Sequence, residues 1–325
     1  MRQTEERYIS LLTDFGFKRI FGTAPNKSLL IDFLNSLFDG EQVIRSVTFL
    51  NSEHVGDVYA ERKAIFDVYC ENEQGEKFIV EMQNAYQTYF KDRSLYYATF
   101  PIREQAQKGA EWNFKLEHVY VVALLNYEMS DAAFSNETIN HDVGLLDKQT
   151  HRVFNDKLTF KYVEIAKFNK DIAHLETNFD KWLYVLQNLS RLDKQPEYLQ
   201  NEVFNRLFSE AEIARFTKTE LNEYEDSLKA YRDIKNSIDT AEAKGRAEGR
   251  AEGRAEGRAE GRAEGRAEGR AEGRAEGRAE GRAEGRAEGR AEALVEVAKD
   301  MLRMGMDLKH ITKITGLSED ELKRL

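Results

Sequence analysis

The sequence predicts an α/β domain with a mixed β-sheet flanked by helices, followed by segments that are mainly helical. Three observations carry this prediction. Residues 26–38 place apolar side chains on one face at helical spacing. Residues 65–83 form two runs of β-branched and aromatic residues around a polar stretch with a glycine, which is the pattern of a hairpin. Residues 118–127 are almost continuously apolar, as in a strand covered on both faces.

The other elements can be placed in chain order. Residues 43–50 predict a strand before the hairpin. Residues 93–100 resume helical spacing, and Pro101 is predicted to kink or end that helix. Residues 152–165 predict strands added at the sheet edge, and helical patterns dominate residues 178–238. The order helix, strand, strand, strand, helix, strand favours a single mixed sheet with helices on its faces.

Composition divides the chain into four predicted parts. They are an α/β domain (residues 1–175), a helical lobe (176–240), a low-complexity spacer (241–292) and a small helical tail (293–325). The spacer contains the tetrapeptide Gly-Arg-Ala-Glu twelve times in succession. This repeat separates two regions of ordinary, irregular sequence.

Overall composition limits the class of protein. With 41% hydrophobic residues, the chain has enough apolar material for a core, which excludes disorder throughout. The single cysteine, Cys70, forms no internal disulfide, and residues 1–17 lack the apolar segment of a secretory signal. No apolar run approaches the roughly 18 residues of a membrane span. We therefore expect a cytoplasmic protein that does not enter a membrane.

The net charge of −10 argues against tight, non-specific binding to nucleic acid. It does not exclude a nucleic-acid partner, because basic side chains can cluster locally and a bound divalent metal offsets carboxylates in a site.

The predicted hairpin carries an acid on each strand. If Glu71 pairs with Lys77, Asp67 falls opposite Glu81, and opposed residues of an antiparallel pair share one face. Two carboxylates about 5 Å apart repel each other unless a cation lies between them. Mg²⁺ favours oxygen ligands and commonly takes one or two carboxylates, with Gln83 placed to hold a water or phosphate. The alternative is a solvated sheet face on which acids have no special role.

Several segments resemble, in the same order, the PD-(D/E)XK nuclease superfamily, and specifically its bacterial branch of nuclease-family transposases or recombination-promoting nucleases. The similarity covers roughly residues 8–235. The matching segments are TDFGFKRIFG (13–22), LLIDFLNSLF (29–38), IFDVYCENEQGEKF (65–78), IVEMQ (79–83), KDRSLYYATF (91–100), EHVYVVALLNY (117–127) and KYVEIAKF (161–168).

This resemblance implies a restriction-endonuclease-like core with a metal-dependent phosphodiesterase site on its second and third strands. By position, Asp67 is the first acid of the motif and Glu81 the second. Gln83 stands where the superfamily has lysine, which removes a cation that would orient water or stabilise the transition state. Lys63 is either a substitute cation on the same strand face or a solvent-exposed residue. The implied metal is Mg²⁺, with Mn²⁺ as the alternative.

Four more residues belong to the predicted site by resemblance. Asp14 is either a further metal-binding acid or the N-cap of the helix that follows. Tyr97, Gln105 and Arg93 lie on the helix after the hairpin and are predicted to face DNA. For Tyr97 the alternative is packing in the core.

The repeat and the tail allow several interpretations. Identical residues recur at i,i+4, so favourable i,i+4 ion pairs are absent, and twelve glycines at about 1 kcal/mol each make an isolated helix marginal. The repeat is a partly helical polar spacer, a helix stabilised by self-association, or an arm that binds nucleic acid. In the tail, Gly305 and Gly316 suit helix C-termini, and Ser318 with Glu321 forms a capping box. The tail resembles a small helix-turn-helix that contacts DNA or protein.

Two functions follow as hypotheses. The first is a Mg²⁺-dependent DNA endonuclease that hydrolyses phosphodiester bonds and promotes recombination. The second is a catalytically inactive module that keeps the nuclease fold and binds nucleic acid or protein. Homo-oligomerisation through the repeat or the tail is a further expectation.

Overall fold

The computed structural model describes residues 6–54, 64–106, 113–129, 131, 133–134 and 136–325. The chain divides into two compact units, Met1–Ala241 and Glu242–Leu325. Across the described residues, no helix combines the length and the apolar character needed to cross a membrane.

Helices and strands both occur in the part of the chain that ends at Arg303. In chain order they are α1 (Asp14–Phe21), α2 (Lys27–Phe38), β1 (Val47–Phe49), β2 (Glu53–His54), β3 (Ala64–Ile65), β4 (Val68–Asn72), β5 (Lys77–Gln83), α3 (Phe90–Glu104), β6 (Val119–Leu125), β7 (Asn140–Leu146), β8 (Val153–Glu164), α4 (Asn178–Asn188), α5 (Glu202–Glu210) and α6 (Lys218–Arg303). The tail adds α7 (Leu308–Thr315) and α8 (Glu319–Leu322). Short 3-10 turns lie at Ala24–Asn26, Ile165–Lys167, Ile172–His174, Leu189–Arg191, Glu197–Leu199 and Ile213–Arg215.

Six of these strands form one mixed sheet in the order β1-β4-β5-β6-β8-β7. The pairs β1/β4, β4/β5 and β7/β8 are antiparallel, whereas β5/β6 and β6/β8 are parallel. Strands β2 and β3 form a separate antiparallel pair. The predicted α/β class with a mixed sheet flanked by helices is confirmed.

Two details of the prediction are wrong, and a third is wrong in one of its two alternatives. Residues 152–165 were expected at the sheet edge, yet β8 pairs on both sides and the more polar β7 forms the edge. The predicted strand 43–50 shortens to β1, since only its last residues reach the β4 ladder. Helix α3 continues through Pro101 to Glu104, so the alternative that Pro101 ends the helix is wrong, because proline removes only one backbone donor and the helix remains packed on the sheet.

The sheet is covered on both faces. One face carries residues of β4, β5 and β6 such as Val80 and Val122, which pack with α1, α2, α4 and α5. The other face packs against α3 through residues such as Ile79 and Phe90. Trp182 of α4 lies in the first core. The helical segment after the sheet therefore contributes to the same core as the strands.

The tetrapeptide repeat lies within α6, whereas its glycine content predicts only marginal helicity for an isolated repeat. Ion pairs at i,i+4 join Arg246 to Glu242 and Lys244 to Glu248 at the start of the repeat. A Cβ added to any repeat glycine would meet no atom within 4 Å. The helix through the repeat is thus continuous but is stabilised by few side-chain contacts.

Alanine at repeat glycines should strengthen this helix. Replacing Gly261, Gly265 and Gly269 with alanine adds no steric conflict and should contribute up to about 1 kcal/mol of helix stability per site. Amide hydrogen exchange in the intact chain should therefore slow about fivefold per substitution around these sites. The reverse change, Ala263→Gly, should speed exchange. Equal exchange in all variants would contradict the expected helix.

The tail forms its own small core from Ala298, Ile311 and Leu322. The predicted capping box is confirmed, because Ser318 accepts from the backbone of Glu321 while Glu321 accepts from the Ser318 backbone. Gly316 caps α7 with a φ of 78°, a left-handed conformation that glycine adopts without strain.

Candidate active site

The two acids of the hairpin meet where the β4/β5 ladder ends. Glu71 pairs with Lys77 and Val68 with Val80, so the predicted register is confirmed. Extended by one residue, this register sets Asp67 opposite Glu81. Glu81 is only 5% exposed, and it shares the α3-facing side of β5 with Ile79.

Backbone hydrogen bonds tie each acid to the other strand. The Asp67 N–H donates to Glu81 Oε1 at 3.2 Å, and the Met82 N–H donates to Asp67 Oδ2 at 2.8 Å. No hydrogen bond from a described residue reaches Asp67 Oδ1. These hydrogen bonds between side chain and backbone link the two strands beyond the end of the backbone ladder. Asp67 Oδ1 remains able to bind a ligand.

Both carboxyl groups resist ionisation. Burial raises the pKa of Glu81, and the neighbouring Asp67 raises it further. Burial also raises the pKa of Asp67, although the hydrogen bond from Met82 and the charges of Lys18 and Arg93 oppose the shift. Two acids that disfavour simultaneous negative charge need either a proton or a nearby cation.

Helix α1 contributes an acid and a base to this region. Asp14 forms an ion pair with Lys18 at 2.8 Å. Burial lowers the pKa of Lys18, but its hydrogen bond to Asp14 and the charges of Asp14, Asp67 and Glu81 raise it overall. Lys18 was missed by the sequence reasoning, although its i,i+4 spacing from Asp14 was a usable signal.

The N-cap alternative for Asp14 is wrong. Thr13 is the N-cap of α1, and its hydroxyl oxygen accepts from the Gly16 N–H at 3.1 Å. Asp14 is the first helical residue, where its negative charge interacts favourably with the positive end of the helix dipole. A Cβ on Gly16 would lie 2.1 Å from the Ser10 carbonyl oxygen. Glycine at this position therefore allows α1 to begin directly against the preceding turn.

The end of β5 connects to α3 through an amide and a guanidinium. Gln83 Nε2 donates to Glu81 Oε2 at 3.3 Å, and Arg93 Nη2 donates to Gln83 Oε1 at 2.5 Å. Arg93 Nη1 also donates to Gln87 Oε1 at 2.6 Å. The Arg93 Cζ atom lies 5.0 Å from the ring centroid of Phe90 and 5.6 Å from that of Tyr97. Arg93 is thus fixed beside the acids, and Gln87 is a contact that the sequence reasoning did not identify.

Of the other predicted residues, Tyr97 lies near the acids and Gln105 does not. Tyr97 packs on Phe66 at a ring-centroid distance of 5.2 Å, so it contributes to the core while lying beside Arg93. Gln105 exchanges hydrogen bonds with the backbone of Glu117, just before β6 and near the Lys77 end of β5. The structure therefore does not bring Gln105 to the acids. Lys63 lies outside the described residues.

The residues present fit a hard divalent cation. Asp67 is half-buried and Glu81 is buried, both carboxyl groups have raised pKa values, and Asp67 Oδ1 accepts no hydrogen bond from the described residues. No group of three or more His, Cys, Asp or Glu side chains suited to a metal occurs in the part of the chain that the structure describes. A Mg²⁺ ion commonly uses only one or two protein carboxylates and completes its shell with water and phosphate oxygens.

Two family models match the chain. Residues 11–241 match the family described as PD-(D/E)XK nuclease family transposase. Residues 291–325 match the C-terminal HTH domain of the Rpn/YhgA-like nuclease family. No curated protein and no solved structure matches the chain. Since the first match covers more than half of the sequence and includes both acids, the chain belongs to the PD-(D/E)XK nuclease family transposases.

Proposed function

We propose that this protein is a divalent-metal-dependent DNA endonuclease of the transposase-like, recombination-promoting branch. The observation that carries the proposal is the pair of half-buried Asp67 and buried Glu81, joined through the backbone at the end of the β4/β5 ladder. A purely structural pair would add an electrostatic cost that the backbone hydrogen bonds and the charges of Lys18 and Arg93 offset only in part. A pair that binds a cation during phosphodiester hydrolysis explains why both acids are present.

Asp67 and Glu81 would hold the metal, with Asp14 as a further acid at the edge of the site. When bound, Mg²⁺ or Mn²⁺ lowers the pKa of a coordinated water and stabilises negative charge around the phosphorus. The Met82 and Asp67 N–H groups fix the two carboxylates in place. Lys18 and Arg93 reduce the repulsion between these acids and an incoming phosphate.

DNA is the proposed substrate. Support comes from the nuclease and HTH family matches, and from the position of Arg93 and Tyr97 beside the acids. With a net charge of −10, such contacts should depend on local side chains rather than on a broad basic surface. We further propose a cytoplasmic location. Self-association through the repeat or the tail stays a prediction.

Plasmid nicking tests the proposal. Purified protein should convert supercoiled plasmid to nicked or linear DNA with Mg²⁺ or Mn²⁺, and EDTA should abolish the conversion because the carboxylates alone supply no activated water. A control preparation of Glu81→Gln excludes a contaminating nuclease. Failure of the wild type to cleave single-stranded, duplex and supercoiled DNA with either metal would contradict an endonuclease function.

One observation favours the alternative, a catalytically inactive module that binds nucleic acid or protein. Gln83 stands where the superfamily has a lysine, and its amide carries no charge. Such a module would bind labelled DNA or a protein partner with equal affinity in wild type and Glu81→Gln. An endonuclease instead requires that Glu81→Gln lose cleavage.

A further inference from the structure

Gln83 leaves the site without the cation expected at its position, and the structure offers a replacement. We propose that Arg93 supplies this positive charge to the scissile phosphate, and that Gln83 is a positioning residue that holds the Arg93 guanidinium there. The inference rests on the proposed function. It deepens that function by assigning the phosphate contact to a helix residue instead of a strand residue.

A continuous chain of hydrogen bonds connects the acids to Arg93. Glu81 Oε2 accepts from Gln83 Nε2 at 3.3 Å, and Gln83 Oε1 accepts from Arg93 Nη2 at 2.5 Å. The single amide of Gln83 thus contacts the carboxylate through its NH₂ group and the guanidinium through its oxygen. Both ends of that amide are used, so its orientation and the position of the guanidinium are fixed together.

The charge of Arg93 remains available to a ligand. Its two nitrogens Nη1 and Nη2 donate to neutral amide oxygens of Gln87 and Gln83. Among the described residues, no carboxylate oxygen lies within 4.0 Å of its nitrogens. Within the described part of the chain, the buried Nε atom has no hydrogen-bond partner. Neutral acceptors orient a guanidinium without neutralising it, which suits recognition of phosphate.

Of the described residues, Lys18 is the second cation that acts on both acids, but its charge is already engaged. Its Nζ atom forms an ion pair with Asp14 at 2.8 Å. A cation paired with a carboxylate has less net field to offer an incoming phosphate than one held by amides. Arg93 is therefore the stronger candidate of the two.

The pairing also explains why residue 83 is not lysine in this chain. A lysine there has three donors and no acceptor, so it could not accept from Arg93 and would place a second cation against the guanidinium. Glutamine supplies the acceptor. Glutamine at 83 and arginine at 93 therefore depend on each other: the amide accepts from the guanidinium that supplies the charge.

Moving the positive charge from residue 93 to residue 83 tests the proposed roles of Arg93 and Gln83. Arg93→Gln should lower the kcat of plasmid or oligonucleotide cleavage about 10²-fold, with a smaller effect on KM, because the charge acts on the transition state. Gln83→Lys alone should also lower kcat, since it repels Arg93. The double variant Gln83→Lys/Arg93→Gln should recover at least about tenfold over Arg93→Gln, because it returns the cation to the strand.

A merely structural role for Arg93 gives a different result. Its packing on Phe90 and Tyr97 is lost in both Arg93→Gln and the double variant, so a lysine at 83 would not restore activity. Arg103→Gln, on the last turn of the same helix, is the matched control and should keep wild-type kcat. A double variant no more active than Arg93→Gln would overturn the proposal, as would an Arg93→Gln variant that cleaves like the wild type.

A second measurement does not need cleavage. A fluorescein-labelled DNA duplex is titrated in Ca²⁺ buffer at several salt concentrations. Arg93→Gln should reduce the slope of log affinity against log salt by about 0.9, the value for one lost phosphate contact, and the double variant should restore it. If wild-type protein binds with this pattern but never cleaves, the endonuclease function fails while the Arg93 contact stands. An unchanged slope would overturn the contact itself.

Discussion

Replacing Asp67 with asparagine should reduce plasmid nicking roughly 10³-fold while leaving the fold intact. The amide oxygen can still accept from the Met82 N–H, which now bonds Asp67 Oδ2 at 2.8 Å. The amide NH₂ group would replace Oδ1, which accepts no hydrogen bond from a described residue. The change therefore removes a metal-binding oxygen and a negative charge with almost no change in shape.

The unfolding midpoint separates this loss of function from a loss of structure. Metal-free Asp67→Asn should unfold at a temperature no lower than the wild type, because burial already raises the pKa of Asp67 and the carboxylate charge is unfavourable in the fold. Added Mg²⁺ should stabilise the wild type and have no effect on the variant. Asp92→Asn, an exposed acid on α3, is the matched control. Full nicking by Asp67→Asn would remove Asp67 from the site.

The hairpin acids were predictable because strand geometry is regular. Side chains alternate on a strand, and a short polar loop limits the registers available to the two strands that it joins. Once Glu71 is paired with Lys77, the position of Asp67 opposite Glu81 follows without further information. The same regularity made the apolar run of β6 recognisable as a covered strand.

Strand geometry does not predict the cations around the acids: Lys18 was missed, and Arg93 was predicted to face DNA only by resemblance to the family. Lys18 and Arg93 come from two helices, and their distance to the acids depends on how those helices pack on the sheet. The sequence predicts a substitute lysine on the strand itself, at Lys63, because only residues on one element have a spacing that sequence alone defines. Contacts between elements depend on tertiary packing.

Edge strand β7 escaped prediction for a related reason. Its residues, Asn140–Leu146, are mostly exposed and lack alternation between apolar and polar residues. The strand exists because β8 offers it a backbone ladder, not because of its own pattern. Fold class could thus be predicted from the buried elements, whereas the edge could not.

The negative charge of buried Glu81 connects the stability of the fold with the proposed metal site. The pKa of Glu81 is raised by burial first and by Asp67 second. In the unfolded chain the same group has an ordinary carboxyl pKa of about 4.3. Between that value and the raised folded value, the folded state binds more protons than the unfolded state, so stability falls as pH rises. This dependence is the reverse of that of a carboxylate stabilised by a salt bridge.

Glu81→Gln should remove this pH dependence and, with it, the metal site. In urea unfolding without metal, we expect the wild type to lose stability steadily from about pH 5 upward. Glu81→Gln should lose less stability over the same range, while the exposed control Glu223→Gln should behave like the wild type.

In calorimetric titration with Mn²⁺ at neutral pH, the wild type should bind metal and release protons, because the cation replaces the proton that the paired acids retain. The variant should bind about 100-fold more weakly, since one of the two central charged ligands is gone. Equal Mn²⁺ affinity in the two proteins would mean that the buried pair holds no cation, and the endonuclease proposal would lose the observation on which it depends.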